Sequence, residues 1–138
     1  MTKRLARLVP QGRVVGIDAS AFWINWARGR VRNMPNADLR VGTVMSVDLD
    51  RGSFDAALFH YVLHEIPTFE RAATIERIHD LLADGGRLLV CEPTRPDHGM
   101  PPSEIRRLAT TAGLIEESCA ERRTFFFGPH VEMAFRKR

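Results

Sequence analysis

His60 and His64 stand four residues apart, and Glu65 follows directly on the second histidine. An imidazole titrates near neutrality, with a pKa of about 6.5, so it can take a proton from a weakly acidic group and return it. On one helical face the two rings could also offer nitrogens to a metal. No third ligand lies at a telling spacing, however, and the His-Glu-x-x-His order of zinc proteases is absent, so the sequence predicts no metal site. Asp18 is the second chemical feature. It closes the apolar run Val14-Val15-Gly16-Ile17, and a helix starts just beyond it. A carboxylate at the carboxyl end of such a strand can accept two hydrogen bonds from a ribose diol. Glu92 ends the run Leu88-Leu89-Val90-Cys91 at the same kind of edge. It reads either as a group meeting a substrate amine or hydroxyl, or as a solvated strand-end carboxylate. Asp55, at the start of its strand, reads as structural.

The elements that must position these residues alternate in type. A short helical pattern over 2–9 carries Leu5, Leu8 and Val9. Arg13 to Ile17 reads as a buried parallel strand, β-branched and continuous. Ser20 can cap the next helix, whose apolar positions are Phe22, Trp23, Trp26 and Ala27, with Trp26 assigned to the core. Strands follow over 38–44 and 54–60. A long helix after Pro67-Thr68 would turn Phe69, Ala72, Ile75, Ile78 and Leu82 inward and stop at Asp84-Gly85-Gly86. A fourth strand spans 87–92. Ser103 opens a helix that turns Ile105, Leu108, Ala109 and Ala112 inward and stops at Gly113. Residues 114–124 and 131–135 form an antiparallel pair around Gly128-Pro129. Strand and helix in alternation, closed by a hairpin, predict an α/β fold with a doubly wound, mostly parallel sheet.

Composition agrees with one domain. The chain has 138 residues, 44% of them apolar and 27% charged, which suffices for a real core. No apolar run approaches the roughly 20 residues of a membrane span, and no signal-like segment follows Met1, so a cytoplasmic location without membrane contact is expected. The 20 basic residues exceed the 17 acidic ones by three, but they lie in scattered doublets without aromatic platforms, which argues against nucleic acid as a partner. Cys91 and Cys119 read as buried thiols. The Phe125-Phe126-Phe127 run reads mainly as core, with one ring left for a substrate mouth or a dimer surface; a homodimer stays open.

Four stretches in this order resemble the class I S-adenosylmethionine-dependent methyltransferases. They are Gly16-Ile17-Asp18-x-Ser20 with Ala27-Arg28, Phe54-Asp55 leading to Leu63-His64-Glu65-Ile66, Leu82-x-x-Gly85-Gly86-Arg87-Leu88-Leu89, and the last helix with Ala112-Gly113-Leu114. The resemblance implies a Rossmann-like fold and S-adenosylmethionine as cofactor. It implies methyl transfer to a small-molecule substrate, with the acceptor atom (O, N or C) open. Asp18 then matches the acid that holds the ribose hydroxyls, and Ala19 and Trp23 match positions bordering the adenine. Thr43 and Val44 match the turn where an acid commonly meets the adenine amino group. Thr43 is uncharged but can still accept a hydrogen bond. His60 matches the strand end where sulfonium and substrate meet. The pair His64-Glu65 is similar to the His-acid pair of small-molecule O-methyltransferases, which makes His64 the candidate base; a packing role for it is the alternative.

The departure is at the front. The family's first strand and its glycine-rich turn find no counterpart, and that strand lies between those matching Arg13–Ile17 and Phe54–His60. Direct pairing of the flanking strands, a strand from another chain, or a shortened product are all compatible with the sequence. Cofactor binding by this chain alone is accordingly expected to be impaired. The alternative function is a degenerate methyltransferase fold serving as a non-catalytic binding or dimerisation module. A nicotinamide-dependent oxidoreductase also places an acid at this strand end, but Glu65 stands four residues after Tyr61, where short-chain dehydrogenases carry lysine.

Overall fold

A computed structural model describes residues 1–124 and 128–138, and the Phe125-Phe126-Phe127 reading lies outside the described residues. The chain groups into two compact units, Met1–Asp48 and Leu49–Arg138.

The first unit holds helix α1 (Thr2–Leu8), strand β1 (Val14–Asp18), helix α2 (Ala21–Val31) and strand β2 (Ala37–Val41). β1 and β2 pair in parallel, Val14 with Ala37 through Asp18 with Val41, so both strands end at the same edge. The Ser20 Oγ accepts the Trp23 N–H at 3.5 Å and starts α2, as its residue type predicts. The helix buries Ile24 and Val31, with Ala27 beside them, against Leu39, Met34 and Ala37. This spacing of three and four defines a narrow apolar stripe. Trp26 lies off it, 54% exposed, so its assignment to the core is corrected; Phe22 and Trp23 are exposed as well. Each ring packs on a neighbour instead. Trp23 meets Trp26 edge-on at 6.0 Å, and the Arg30 guanidinium sits 4.5 Å over the Trp26 ring. Beyond Val41 the chain turns at Gly42, whose φ of +144° suits glycine, so β2 stops before Thr43 and Val44.

The second unit holds strand β3 (Phe54–His60), a 3₁₀ turn (Leu63–Glu65), helix α3 (Thr68–Leu81) and strand β4 (Leu82–Pro93). Helix α4 (Pro102–Thr111) and strands β5 (Ile115–Thr124) and β6 (Gly128–Arg136) follow. The sheet order is β3-β4-β6-β5, parallel between β3 and β4 and antiparallel elsewhere. Among the described residues the strands thus form two sheets, one wholly parallel and one mixed.

Alternation along β4 sets the core. Leu88, Val90 and Glu92 are in phase and buried, and they pair with buried Phe135, Met133 and Val131 of β6. The helices contribute Thr74, Ile75, Ile78 and Leu81 from α3, and Ile105, Leu108 and Ala109 from α4. Phe69, 84% exposed, and Ala72 lie off the buried stripe of α3, contrary to the sequence reading. α3 also ends at Leu81 instead of running to the glycines, because Leu82 is already extended and pairs with Phe54. Lys137 then satisfies the backbone there. Its N–H donates to the Gly86 carbonyl, its own carbonyl accepts from Gly85, and its Nζ reaches the Leu82 carbonyl at 2.8 Å. Gly113, with φ +88°, stops α4 as expected, and the Leu114 N–H closes on the Ala109 carbonyl. Cys91 is half-buried and Cys119 is exposed on β5, which corrects the reading of Cys119 as a buried thiol. No helix of the described residues is long and apolar enough to cross a membrane.

Candidate functional site

In the first unit, the parallel pairing of β1 and β2 places two chain segments side by side at their carboxyl edge. The Gly42 N–H donates to the Asp18 carbonyl at 2.9 Å, so the Thr43 turn starts next to the end of β1. The Asp18 carboxylate is exposed there, and its Oδ1 accepts the Ser20 N–H at 2.8 Å. This contact orients the carboxylate at the start of α2. The basic side chains of the unit take another acid. Arg13 and Arg40 both hold the Asp38 Oδ2, at 2.6 and 2.9 Å, and their guanidinium groups, Arg40 first, keep that carboxyl below its usual range. Ala19 and Thr43 are exposed, and Val44 is half-buried. The turn is held by Ser46, whose Oγ accepts the Thr43 N–H at 2.9 Å. A side chain at 42 would meet Ser46 Oγ at 2.8 Å and Val47 Cγ2 at 2.9 Å, so glycine is required on space as well as on φ. Asp18, Ala19, Thr43 and Val44 are thus brought to one edge. Trp23 lies on the first turn of α2, tied to that edge through the Ser20 cap.

In the second unit, His60 ends β3 opposite Cys91 of β4. Burial pushes its imidazole toward the neutral form. Tyr61 follows with φ +57°, the one left-handed non-glycine among the described residues. Such a conformation costs about 1–3 kcal/mol and persists where the surroundings over-determine it. The surroundings here are specific. The Tyr61 N–H donates to the Cys91 carbonyl at 2.8 Å, and burial, with the Cys91 thiol beside it, pushes the phenol up to about 12. The turn after Tyr61 then aims three successive N–H groups at one carboxylate. Glu92 Oε1 accepts from Val62 and Leu63 at 2.8 and 2.7 Å, and Oε2 accepts from His64 N–H at 3.4 Å. The same Oε2 lies 2.5 Å from His64 Nδ1.

Glu92 is 0% exposed, so the alternative of a solvated strand-end carboxylate is corrected. Its phase with Leu88 and Val90 turns it into the core, where the four donors replace water. Arg71 of α3 grips the same turn by its carbonyls, donating to Ile66 and His64 at 2.9 Å each, and pairs with Glu104 of α4 at 2.8 Å. His60 and His64 do not share a helix: one ends a strand and the other lies in the 3₁₀ turn.

The chemical consequence concerns the His64 tautomer. A carboxylate offers only acceptors, so Nδ1 carries a proton toward Glu92. The His64 side chain is only 7% exposed, and its Nε2 lies 3.1 Å from the Glu65 Oε1, so Nε2 presents a lone pair only when the exposed Glu65 side chain turns away. A histidine oriented in this way by a buried acid is suited to accept a proton at one defined nitrogen. The sequence reading paired His64 with its neighbour Glu65; the acid that fixes the ring is Glu92, 28 residues on. Strand parity, counted from Leu88 and Val90, was the signal available for it.

Residues 1–86 match the family model described as a methyltransferase domain. The chain is 28% identical over 94 residues to a demethylmenaquinone methyltransferase of Symbiobacterium thermophilum, covering 66% of this chain and 37% of that protein. It is 30% identical over 115 residues to a trans-aconitate 2-methyltransferase of Deinococcus radiodurans, covering 83% of this chain and 40% of the other. The chain therefore spans well under half the length of these relatives. Among solved structures, the N-methyltransferase NodS of Bradyrhizobium japonicum with S-adenosyl-L-homocysteine superposes with a TM-score of 0.81 at 17% identity, over 96% of this chain and 71% of that one.

Proposed function

The chain belongs to the class I S-adenosylmethionine-dependent methyltransferase family, and from that premise we propose that it takes part in methyl transfer to a small molecule. The relatives named above carry the names of small acceptors, demethylmenaquinone and trans-aconitate, which supports that substrate class. The observation that carries the reading is the exposed Asp18 carboxylate at the carboxyl edge of β1, held by the Ser20 N–H, while Arg13 and Arg40 pair with Asp38 instead.

In this reading Asp18 accepts the ribose hydroxyls of S-adenosylmethionine. Ala19, Trp23 and Val44 border the adenine, and Thr43 offers its hydroxyl to the amino group. The residues suit the nucleoside, since an oriented carboxylate and an uncharged turn lie at one edge. When bound, the cofactor supplies an electrophilic methyl group for in-line displacement, for which alignment does much of the work.

The second unit carries the candidate acid–base group. Burial favours the neutral form of the His60 imidazole. His64 Nε2 takes the proton of an acceptor hydroxyl, and Glu92, through Nδ1, holds the ring for that step as a positioning residue. Calorimetry with S-adenosylmethionine tests the reading. Saturable binding that weakens at least about tenfold in Asp18→Ala, a loss of roughly 1.4 kcal/mol, is expected. Absence of heat at millimolar cofactor would instead favour a non-catalytic module.

A further inference from the structure

His64 has a second set of neighbours that methyl transfer does not use. The segment after β4 folds back on itself: Thr94 and Gly99 form an antiparallel bridge, the Met100 N–H donates to the Pro93 carbonyl at 2.8 Å, and Met100 itself is buried. This return carries His98 over the 3₁₀ turn. Its ring stands edge-on to His64 with centroids 4.7 Å apart, and its Nε2 is 3.9 Å from the Glu65 Oε1. The same Glu65 oxygen is 3.1 Å from His64 Nε2. One ligand atom from each of His64, Glu65 and His98 thus falls within 4.8 Å of the others.

We infer that His64, Glu65 and His98 form a binding site for a divalent first-row transition ion of the zinc type. Three observations support the assignment. First, nitrogen and oxygen ligands at about 2.0–2.2 Å from a tetrahedral zinc stand roughly 3.4 Å from one another, and the measured 3.1 and 3.9 Å bracket that spacing. Second, two imidazoles and a carboxylate are the donor set that borderline ions prefer, and three protein ligands leave one position open to water. Third, the His64 Nδ1–H is committed to a fully buried carboxylate, Glu92, 2.5 Å away. Carboxylate–histidine–metal triads use this arrangement to fix the tautomer and raise the basicity of the ligating nitrogen. Sequence spacing could not show the third ligand, because His98 arrives 33 residues after Glu65 through the fold of a loop.

The ligand assignment does not rest on the methyltransferase reading. It does constrain it: an ion on His64 Nε2 takes the lone pair that the proposed base would use, so the two occupancies exclude each other. Zinc titration of the metal-free chain, followed by calorimetry and by competition with a chromophoric chelator, provides the test. His98→Ala and Glu65→Gln are the variants of choice, because both side chains are mostly exposed, 64% and 65%, and the fold does not depend on them. Zinc stoichiometry should fall by one ion in each variant, or affinity should drop by more than the roughly 10–100-fold typical of losing an outer-sphere partner. Cobalt(II) should give the intense visible bands of a four-coordinate site in the wild type and lose them in His98→Ala. The inference is overturned if the wild type takes up no zinc at micromolar concentration. It is equally overturned if both variants bind as the wild type does, for example because Cys91, His130 and Glu132, the other close group of potential ligands, hold the ion and Cys91→Ser releases it.

Discussion

Replacing Glu92 separates its two roles, holding the turn and fixing the His64 tautomer. In Glu92→Ala the N–H groups of Val62 and Leu63 and the His64 Nδ1–H lose their acceptor. Leu63 is fully buried and His64 nearly so, and an orphaned buried donor costs about 1–3 kcal/mol. Val62 is partly exposed and can recruit water, so the sum is about 2–6 kcal/mol, a large share of a total of roughly 5–15 kcal/mol. Glu92→Gln keeps an oxygen for Val62 and Leu63 but exchanges charged for neutral hydrogen bonds, at a cost of about 1–2 kcal/mol. Its amide N–H groups then face His64 Nδ1. That nitrogen must become the acceptor, and the proton moves to Nε2. Urea unfolding with an unchanged m-value reads the stability, and ¹⁵N imidazole shifts read the tautomer. The expected order of stability is wild type, Glu92→Gln, Glu92→Ala, with Nδ1 losing its proton only in the variants. A Glu92→Ala protein within about 0.5 kcal/mol of the wild type, or an unprotonated Nδ1 in the wild type, would contradict these roles of Glu92.

Other expectations follow from single features. Gly42→Ala places a methyl against Ser46 and Val47 at a left-handed φ and should destabilise by about 1–3 kcal/mol, measured by thermal melting. Cys119 should react with a maleimide well before Cys91, whose thiol is half-buried and raised by burial, as peptide mapping of the labelled chain would show. Asp38 is held below its ordinary value by Arg40 and Arg13, so its contribution is present above an unfolded pKa of about 4 and is lost as pH falls through the lower folded value. Asp38→Asn should therefore flatten the acid limb of a stability-against-pH curve and leave its neutral region displaced by a constant amount.

Much of the fold was legible because strands and caps are written locally. Val14 to Asp18, the Ser20 cap and the Gly113 stop depend on neighbours a few residues away, and each stands where its residue types place it. Which face of a helix is buried was less legible. The Phe22-Trp23-Trp26 group and Phe69 are large and apolar, yet smaller residues at the right spacing, Ile24 with Val31 and Thr74 with Ile78, face the core. Size misleads where periodicity decides. The end of α3 was set by pairing of Leu82 with Phe54 and by Lys137, partners distant in sequence. For the candidate site, Asp18 was readable from its position at a strand end. Glu92 required counting strand parity into the core, and His98 could be placed only by the folded loop.

In the proposed function, the carboxyl edge of β1 and β2 receives the nucleoside of S-adenosylmethionine. Titration of the ¹⁵N-labelled chain with that cofactor, followed by amide shifts, tests it even at weak affinity. Saturable shifts centred on Asp18, Ala19, Ser20, Gly42, Thr43 and Val44 are expected, abolished in Asp18→Ala while the rest of the spectrum stays native. Shifts clustered elsewhere, or a response that Asp18→Ala leaves intact, would contradict it.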